Sequence, residues 1–313
     1  MPPGRPDRGD GGPGPYDDAV PAATDPRDRP IAVFDSGVGG LTVLHELLVS
    51  LPAEDFVYLG DSARFPYGER TAEELERFGM DIAEELVTRR PKLLVVACNS
   101  MTAAALPALQ QRMLQTTLGV DVIGVVRPEA ARAVAVTRAG RIGLLATRAT
   151  VASGSYERAV AAVDPHVDLI AVACPDLAPL IQDPPSGEVF TRELEDVVRA
   201  YCAPLVQARV DTVILGCTHY PLVRSIIQRM LGRDVAIVTS GAALARQAEH
   251  ALGSRGLATT RTGEGTYSFL CTGDVDAFRA LGTRFLQMPL TDVEPVRLAA
   301  QAHHPEVPAW PRA

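Results

Sequence analysis

Leu93-Leu94-Val95-Val96-Ala97-Cys98-Asn99-Ser100 and Thr212-Val213-Ile214-Leu215-Gly216-Cys217-Thr218-His219 repeat one pattern. Each is a short apolar run that closes on a cysteine followed by hydrogen-bonding side chains. Such runs, apolar without alternation, predict strands buried on both faces, as in parallel sheets. Ligands in open α/β sheets sit beyond the carboxyl ends of the strands. Both thiols therefore fall where a ligand would bind. Ile31 to Phe34, running into Asp35-Ser36-Gly37, is a third strand end and adds a carboxylate. Two thiols at matching positions point to proton or acyl chemistry, with one thiol on each side of a ligand.

Working outward, strands are predicted over 31–35, 56–60, 93–98, 122–126, 141–146, 168–173, 212–217 and 235–239. Helical periodicity lies between them, as in Leu41, Leu44, Leu47 and Leu48, and over 75–87. Strand–helix alternation implies mainly parallel sheets covered by helices on both faces. The strands divide at Arg127-Pro128, which gives an α/β fold of two domains. Residues 31–126 with 240–289 form the first, and residues 127–239 the second. The returning segment carries a short strand from Thr266 to Cys271 and a helix from Val275 to Phe285. The matched cysteine motifs suggest a pseudo-duplication, with the site where the domains face each other. Residues 1–30, rich in Pro, Gly, Asp and Arg, are expected to be a disordered extension. Residues 290–313 are expected to be a tail, with His303-His304 solvated and not a metal site.

The chain has 313 residues, 47% of them hydrophobic, and a formal charge of −8. That charge argues against a nucleic-acid partner. No apolar run approaches the roughly 18 residues that span a membrane. Five cysteines, an odd number in a long chain, make a poor disulfide framework and fit a reducing cytoplasm. The N-terminus does not read as a signal peptide. Lys92 is the only lysine and Asn99 the only asparagine. A pyridoxal enzyme needs a lysine, and Lys92 stands at the wrong end of its strand. The sole asparagine directly follows Cys98, which hints that an amide is needed there.

Asp35-Ser36-Gly37-Val38-Gly39-Gly40 follows a strand and opens a helix. Its glycines expose backbone N–H groups beside a helix N-terminus, a cradle for a carboxylate. The third glycine of a dinucleotide fingerprint is replaced by Thr42, and no Walker lysine is present. Gly60-Asp61-Ser62 and Phe65-Pro66-Tyr67-Gly68 form a second loop able to cover a ligand. No close C-x₂-C pair suggests zinc, so no metal is expected. A Cys–His–Asp hydrolase stays open on these residues, but it leaves the second cysteine unexplained.

At these positions the chain resembles the glutamate racemases. The matching stretches are Phe34 to Val43, Tyr58 to Gly68, Ala97 to Ser100, Gly143 to Thr150, Ala173 to Pro175, Leu215 to Leu222 and Ser240-Gly241. Together they span roughly residues 31–290. The resemblance implies two pseudo-symmetric domains with the site at their interface, and cofactor-independent interconversion of L- and D-glutamate for peptidoglycan. It implies Cys98 and Cys217 as the two acid/base residues, assisted by Asp35 and His219. Asp35, Ser36, Tyr67, Gly68, Asn99, Ser100, Thr218 and His219 would contact substrate, and the enzyme would be a cytoplasmic homodimer. Two positions depart from the family pattern. Ser100 stands for the usual threonine and keeps the hydroxyl. Gln182 stands where many members carry a glutamate that assists the second half-site, and a glutamine cannot transfer a proton.

Overall fold

The structure, a computed structural model, describes residues 25–117, 119–184 and 187–298. The first half holds strands β1 (Ile31–Asp35), β2 (Phe56–Gly60), β3 (Leu93–Val96) and β4 (Asp121–Gly124). Helices α1 (Leu41–Ser50), α2 (Ala72–Thr88) and α3 (Asn99–Thr116) connect them. The second half holds β5 (Arg141–Ala146), β6 (Asp168–Ala173), β7 (Thr212–Gly216) and β8 (Ala236–Val238). It is covered by α4 (Val126–Val136), α5 (Arg148–Ala152), α6 (Ser155–Val163), α7 (Leu177–Gln182), α8 (Arg192–Gln207) and α9 (Arg224–Leu231). The chain then returns through α10 (Ser240–Ser254), β9 (Tyr267–Cys271), α11 (Val275–Leu286) and β10 (Val293–Pro295).

Two sheets result, with orders β10-β9-β2-β1-β3-β4 and β6-β5-β7-β8. Every strand pairing is parallel. The first four strands and the second four thus share one order, second-first-third-fourth. Cys98 follows the third strand of the first set, and Cys217 the third strand of the second. The central strands β1, β2, β3 and β7 are buried at every residue, which is why they read as unbroken apolar runs.

Strand ends differ from the sequence reading, and each difference matters for the site. The run expected as strand over 93–98 stops at Val96, and Cys98 becomes the N-cap of α3 with φ −70° and ψ 123°. The run over 212–217 stops at Gly216. The run over 122–126 stops at Gly124, because Val125 caps α4 and Val126 begins it. Apolarity continues through these turns because the first helical turn is buried too, and an apolar run alone does not separate the two states. Pro128 sits in the first turn of α4, where its missing N–H costs nothing. The crossing between the sheets is therefore a helix start and not a linker.

The described parts of both expected terminal segments are structured. Residues 1–24 and His303-His304 lie outside the described residues, but 25–30 do not behave as a disordered arm. Pro26–Asp28 forms a 3-10 turn in which Asp25 accepts from the Arg27 N–H at 2.9 Å. Lys92 Nζ donates to the Arg27 carbonyl at 2.5 Å and pairs with Glu54. The lone lysine is thus committed at the amino ends of the strands. The stretch from 290, expected as tail, bears β10, which pairs with β9. Leu290, Val296 and Leu298 are buried there, and that burial holds the segment.

Candidate active site

The carboxyl ends of the two sheets face each other across one cavity. Ser36, Phe65, Tyr67, Gly68, Cys98, Asn99, Ser100, Thr147, Cys217, Thr218 and His219 line it, with Pro175, Ala178 and Pro179 from α7 and the turn before it. Both cysteines are thus walls of a single space, one from each half. Hydrogen bonds join the halves around it. Thr42 Oγ1 donates to the Thr218 carbonyl at 3.1 Å, the Ala149 N–H to the Gly68 carbonyl at 2.9 Å, and Ser100 Oγ meets Thr147 Oγ1 at 2.8 Å. Gly39 lets the β1 loop approach the Cys217 loop: a Cβ there would stand 2.4 Å from the His219 ring and 2.5 Å from Thr218 Oγ1.

Asp35, expected to touch the ligand, stands next to the lining residues Ser36 and Thr218. It is fully buried and does not line the cavity. Its Oδ2 accepts from the Gly40 and Gly37 N–H groups at 3.0 and 3.2 Å, and Thr218 Oγ1 reaches Oδ1 at 3.4 Å. Burial raises its carboxyl pKa, and those backbone donors oppose the rise. The Cys98 side chain opposes the rise as well. Burial first, and then the Asp35 charge, push the Cys98 thiol well above its ordinary value, while the Met101 N–H and the Ser36 hydroxyl pull it back. Burial also raises Cys217, opposed by the His219 backbone N–H. Tyr67 commits its hydroxyl to Asp61, so it offers the cavity its ring and backbone.

His219 is neutral, because burial takes its pKa down to about 3. Its Nε2 lies 2.9 Å from Gln182 Oε1. With the amide oxygen facing it, Nε2 carries the ring proton, since that oxygen only accepts; the amide turned over would place the proton on Nδ1. That Nδ1 is 3.8 Å from Cys217 Sγ and 3.5 Å from Thr218 Oγ1. Phe65 and Phe285 pack on the ring at centroid distances of 5.4 and 5.3 Å. Gln182, singled out as a departure, therefore holds by a hydrogen bond the histidine that stands beside Cys217.

Residues 40–248 match the family described as Asp/Glu/Hydantoin racemase. A glutamate racemase of Geobacter metallireducens is 41% identical over 87% of this chain and 98% of its own length. The solved glutamate racemase isoform RacE1 of Bacillus anthracis superimposes with a TM-score of 0.80, at 38% identity, covering 87% of this chain and 98% of that one. The Francisella tularensis glutamate racemase, solved in complex with D-glutamate, gives a TM-score of 0.80 at 29% identity, covering 88% and 99%. The chain belongs to the glutamate racemase family. It is an amino-acid racemase, an isomerase.

Within this racemase, the sequence reading missed a buried polar cluster behind Asn99. Glu129, Tyr156 and Ser240 are all buried, Tyr156 and Ser240 both donate to the Glu129 carboxyl, and Asn99 Nδ2 joins them. Burial raises the Glu129 pKa to about 8, against the Ser240, Tyr156 and Asn99 hydrogen bonds. A glutamate in a helix's first turn ordinarily reads as a solvated partner of the helix dipole, so nothing in the local pattern marks it. Thr147 and Thr150, whose hydroxyls meet Ser100 Oγ at 2.8 and 3.2 Å, were legible only as part of a longer matching stretch.

Proposed function

We propose that this racemase interconverts L- and D-glutamate by a two-base proton transfer at the α-carbon, supplying D-glutamate for peptidoglycan. The observation that carries the reading is one cavity walled by Cys98 from one half and Cys217 from the other. Inversion needs bases on opposite faces of the α-carbon, and a single thiol occupies only one. With L-glutamate, the Cys217 thiolate takes the α-proton and becomes a thiol. The Cys98 thiol gives its proton to the opposite face and is left as thiolate. The D-to-L direction runs the same steps in reverse. The starting thiolate forms by loss of its proton to solvent, and His219 beside Cys217 and Asp35 beside Cys98 assist as polar partners of the two thiols.

An α-proton beside an ionised carboxylate is very weakly acidic, so the site must stabilise the carbanion electrostatically. Enzymes lower barriers by roughly 8–23 kcal/mol, and one well-aimed donor is worth about 2.7–4 kcal/mol. Several donors are needed. Ser36, Ser100 and Thr218 on the cavity wall, with the backbone N–H groups around Gly68, supply them.

Incubation with L-glutamate in deuterated water, with no added cofactor, tests the reading. Early product D-glutamate should carry solvent deuterium while remaining L-glutamate stays protiated. Equal early labelling of both would replace two bases with one. Circular dichroism of parallel L-glutamate and L-aspartate incubations separates the two substrates. A cytoplasmic homodimer belongs to the same reading. Five free cysteines fit the reducing compartment of that reading. Light scattering should give twice the 33.3 kDa chain mass.

A further inference from the structure

Glu129 has no part in the proton transfer above, yet it is fully buried where the two halves meet. It lies in the first turn of α4, the first crossing between the sheets. Ser240, which opens the return crossing α10, donates to its Oε1. The Tyr156 hydroxyl of α6 donates to its Oε2, and Asn99 Nδ2 reaches the same oxygen at 3.2 Å. Asn99 Nδ2 also lies 2.7 Å from the Tyr156 oxygen. The Tyr156 oxygen and Glu129 Oε2 are bonded to each other and lie on the same side of Nδ2, so the nitrogen end of the Asn99 amide is turned into the cluster. Its carbonyl oxygen Oδ1 is buried and has no partner, in a side chain 2% exposed that lines the cavity beside Cys98.

We propose that Glu129 is a positioning residue that, through Tyr156, locks the Asn99 amide so that its carbonyl oxygen receives the α-ammonium of the substrate. A free amide can turn over and exchange its oxygen and nitrogen. Here the turned amide would set Oδ1 against Glu129 Oε2, two acceptors face to face. Tyr156 offers no escape, because its proton is committed to Glu129 and it presents only lone pairs to Asn99. The remaining orphan oxygen takes only a donor. On a zwitterionic amino acid the carboxylates accept and the ammonium alone donates, so the ammonium is the group this oxygen selects. Holding it beside Cys98 sets which face of the α-carbon meets which thiol. Because the same carboxyl binds Ser240, the amide is referenced to both crossings and not to α3 alone. The lock needs Oε2 as an acceptor, and it holds in the ionised carboxyl and in one whose proton lies on Oε1 facing the Ser240 oxygen.

The inference rests on the racemase reading above, and the test separates the two. Glu129→Met keeps the length of the side chain and removes the accepting oxygens. Its KM for L-glutamate should rise about 10-fold or more, the scale of one hydrogen bond to a charged group, with kcat within about threefold. Competitive inhibition by glutarate, which has the same skeleton without the ammonium, should move less than about twofold. Glu129→Gln retains one accepting oxygen and should bring KM back to within about threefold of the parent. Tyr156→Phe removes the other partner of Asn99 Nδ2 and should raise KM several-fold in the same selective way, about the worth of one buried hydrogen bond. It decides the matter if Glu129→Met fails to fold. A folded Met or Phe variant with parental KM overturns the inference. So does a KM rise matched by an equal rise in the glutarate constant, which would mean general damage to the site. An inactive parent enzyme removes the racemase reading itself, and the inference falls with it.

Discussion

Replacing either Cys98 or Cys217 with alanine is expected to cut racemisation by about 10³-fold or more while the protein remains folded. Each thiol is the only base on its face of the α-carbon, and loss of a positioned acid/base group costs about 10²–10⁴-fold. The second thiol cannot compensate, because it faces the ligand from the other half. Structurally the change is small: both side chains are buried, at 5% and 6% exposed, and neither closes a disulfide. Thermal melting should stay close to the parent, and polarimetry or circular dichroism of the glutamate solution reads the activity. Turnover near parental in either variant would remove that cysteine from the reaction. The pH profile follows from the same groups. Burial raises both thiols above their ordinary value, so below that value the thiolate fraction grows tenfold per pH unit. The partner thiol stays protonated over the same range, as a proton donor must. kcat/KM should therefore climb with pH between about 6.5 and 8.5. A flat profile there would mean that thiolate formation does not limit the reaction.

The two cysteine motifs were legible because parallel strands leave an unbroken apolar signature and the polar residues after it stand out. That signature also carried the α/β class, since eight such runs alternate with helical periodicity. It misjudged where strands stop, because buried first turns such as Val125-Val126 are as apolar as the strands before them. It also could not show that Asp35 lies behind the cavity wall. A carboxylate at a strand end looks the same whether it faces ligand or the loop's own N–H groups, and only the fold of Gly37 to Gly40 around it decides. The cluster on Glu129 was out of reach for another reason. Its four members come from positions 99, 129, 156 and 240, and no spacing rule connects them. Gln182 was noticed as a departure from a family pattern, yet its hydrogen bond at 2.9 Å to a histidine 37 residues away is visible only in the structure.

Gly39→Ala should cost about 10²-fold or more in kcat/KM, although Gly39 touches no substrate. Its need for glycine is a matter of space. The added Cβ would lie 2.4 Å from Cε1 and Nδ1 of His219 and 2.5 Å from Thr218 Oγ1. Carbon atoms pack comfortably at about 3.5–4.0 Å, so the two loops must part by roughly 1 Å. His219 cannot yield cheaply, because Phe65 and Phe285 hold its ring and Gln182 holds its Nε2. The displacement therefore falls on the contact between the β1 loop and the Cys217 loop, where Thr42 meets Thr218 and the halves are joined. A misplacement of about 1 Å between reacting groups is enough for a loss of that size. Gly37→Ala is the matched comparison. Its Cβ would meet Gln182 Oε1 at 3.5 Å and Phe65 at 3.8 Å, ordinary contacts, so its loss should be at least about tenfold smaller. Steady-state kinetics on both variants, with melting curves to show that each is folded, gives the comparison. If the two lose equally, the loops are not held at a distance that matters, and the site tolerates more slack between its halves than a two-thiol transfer allows.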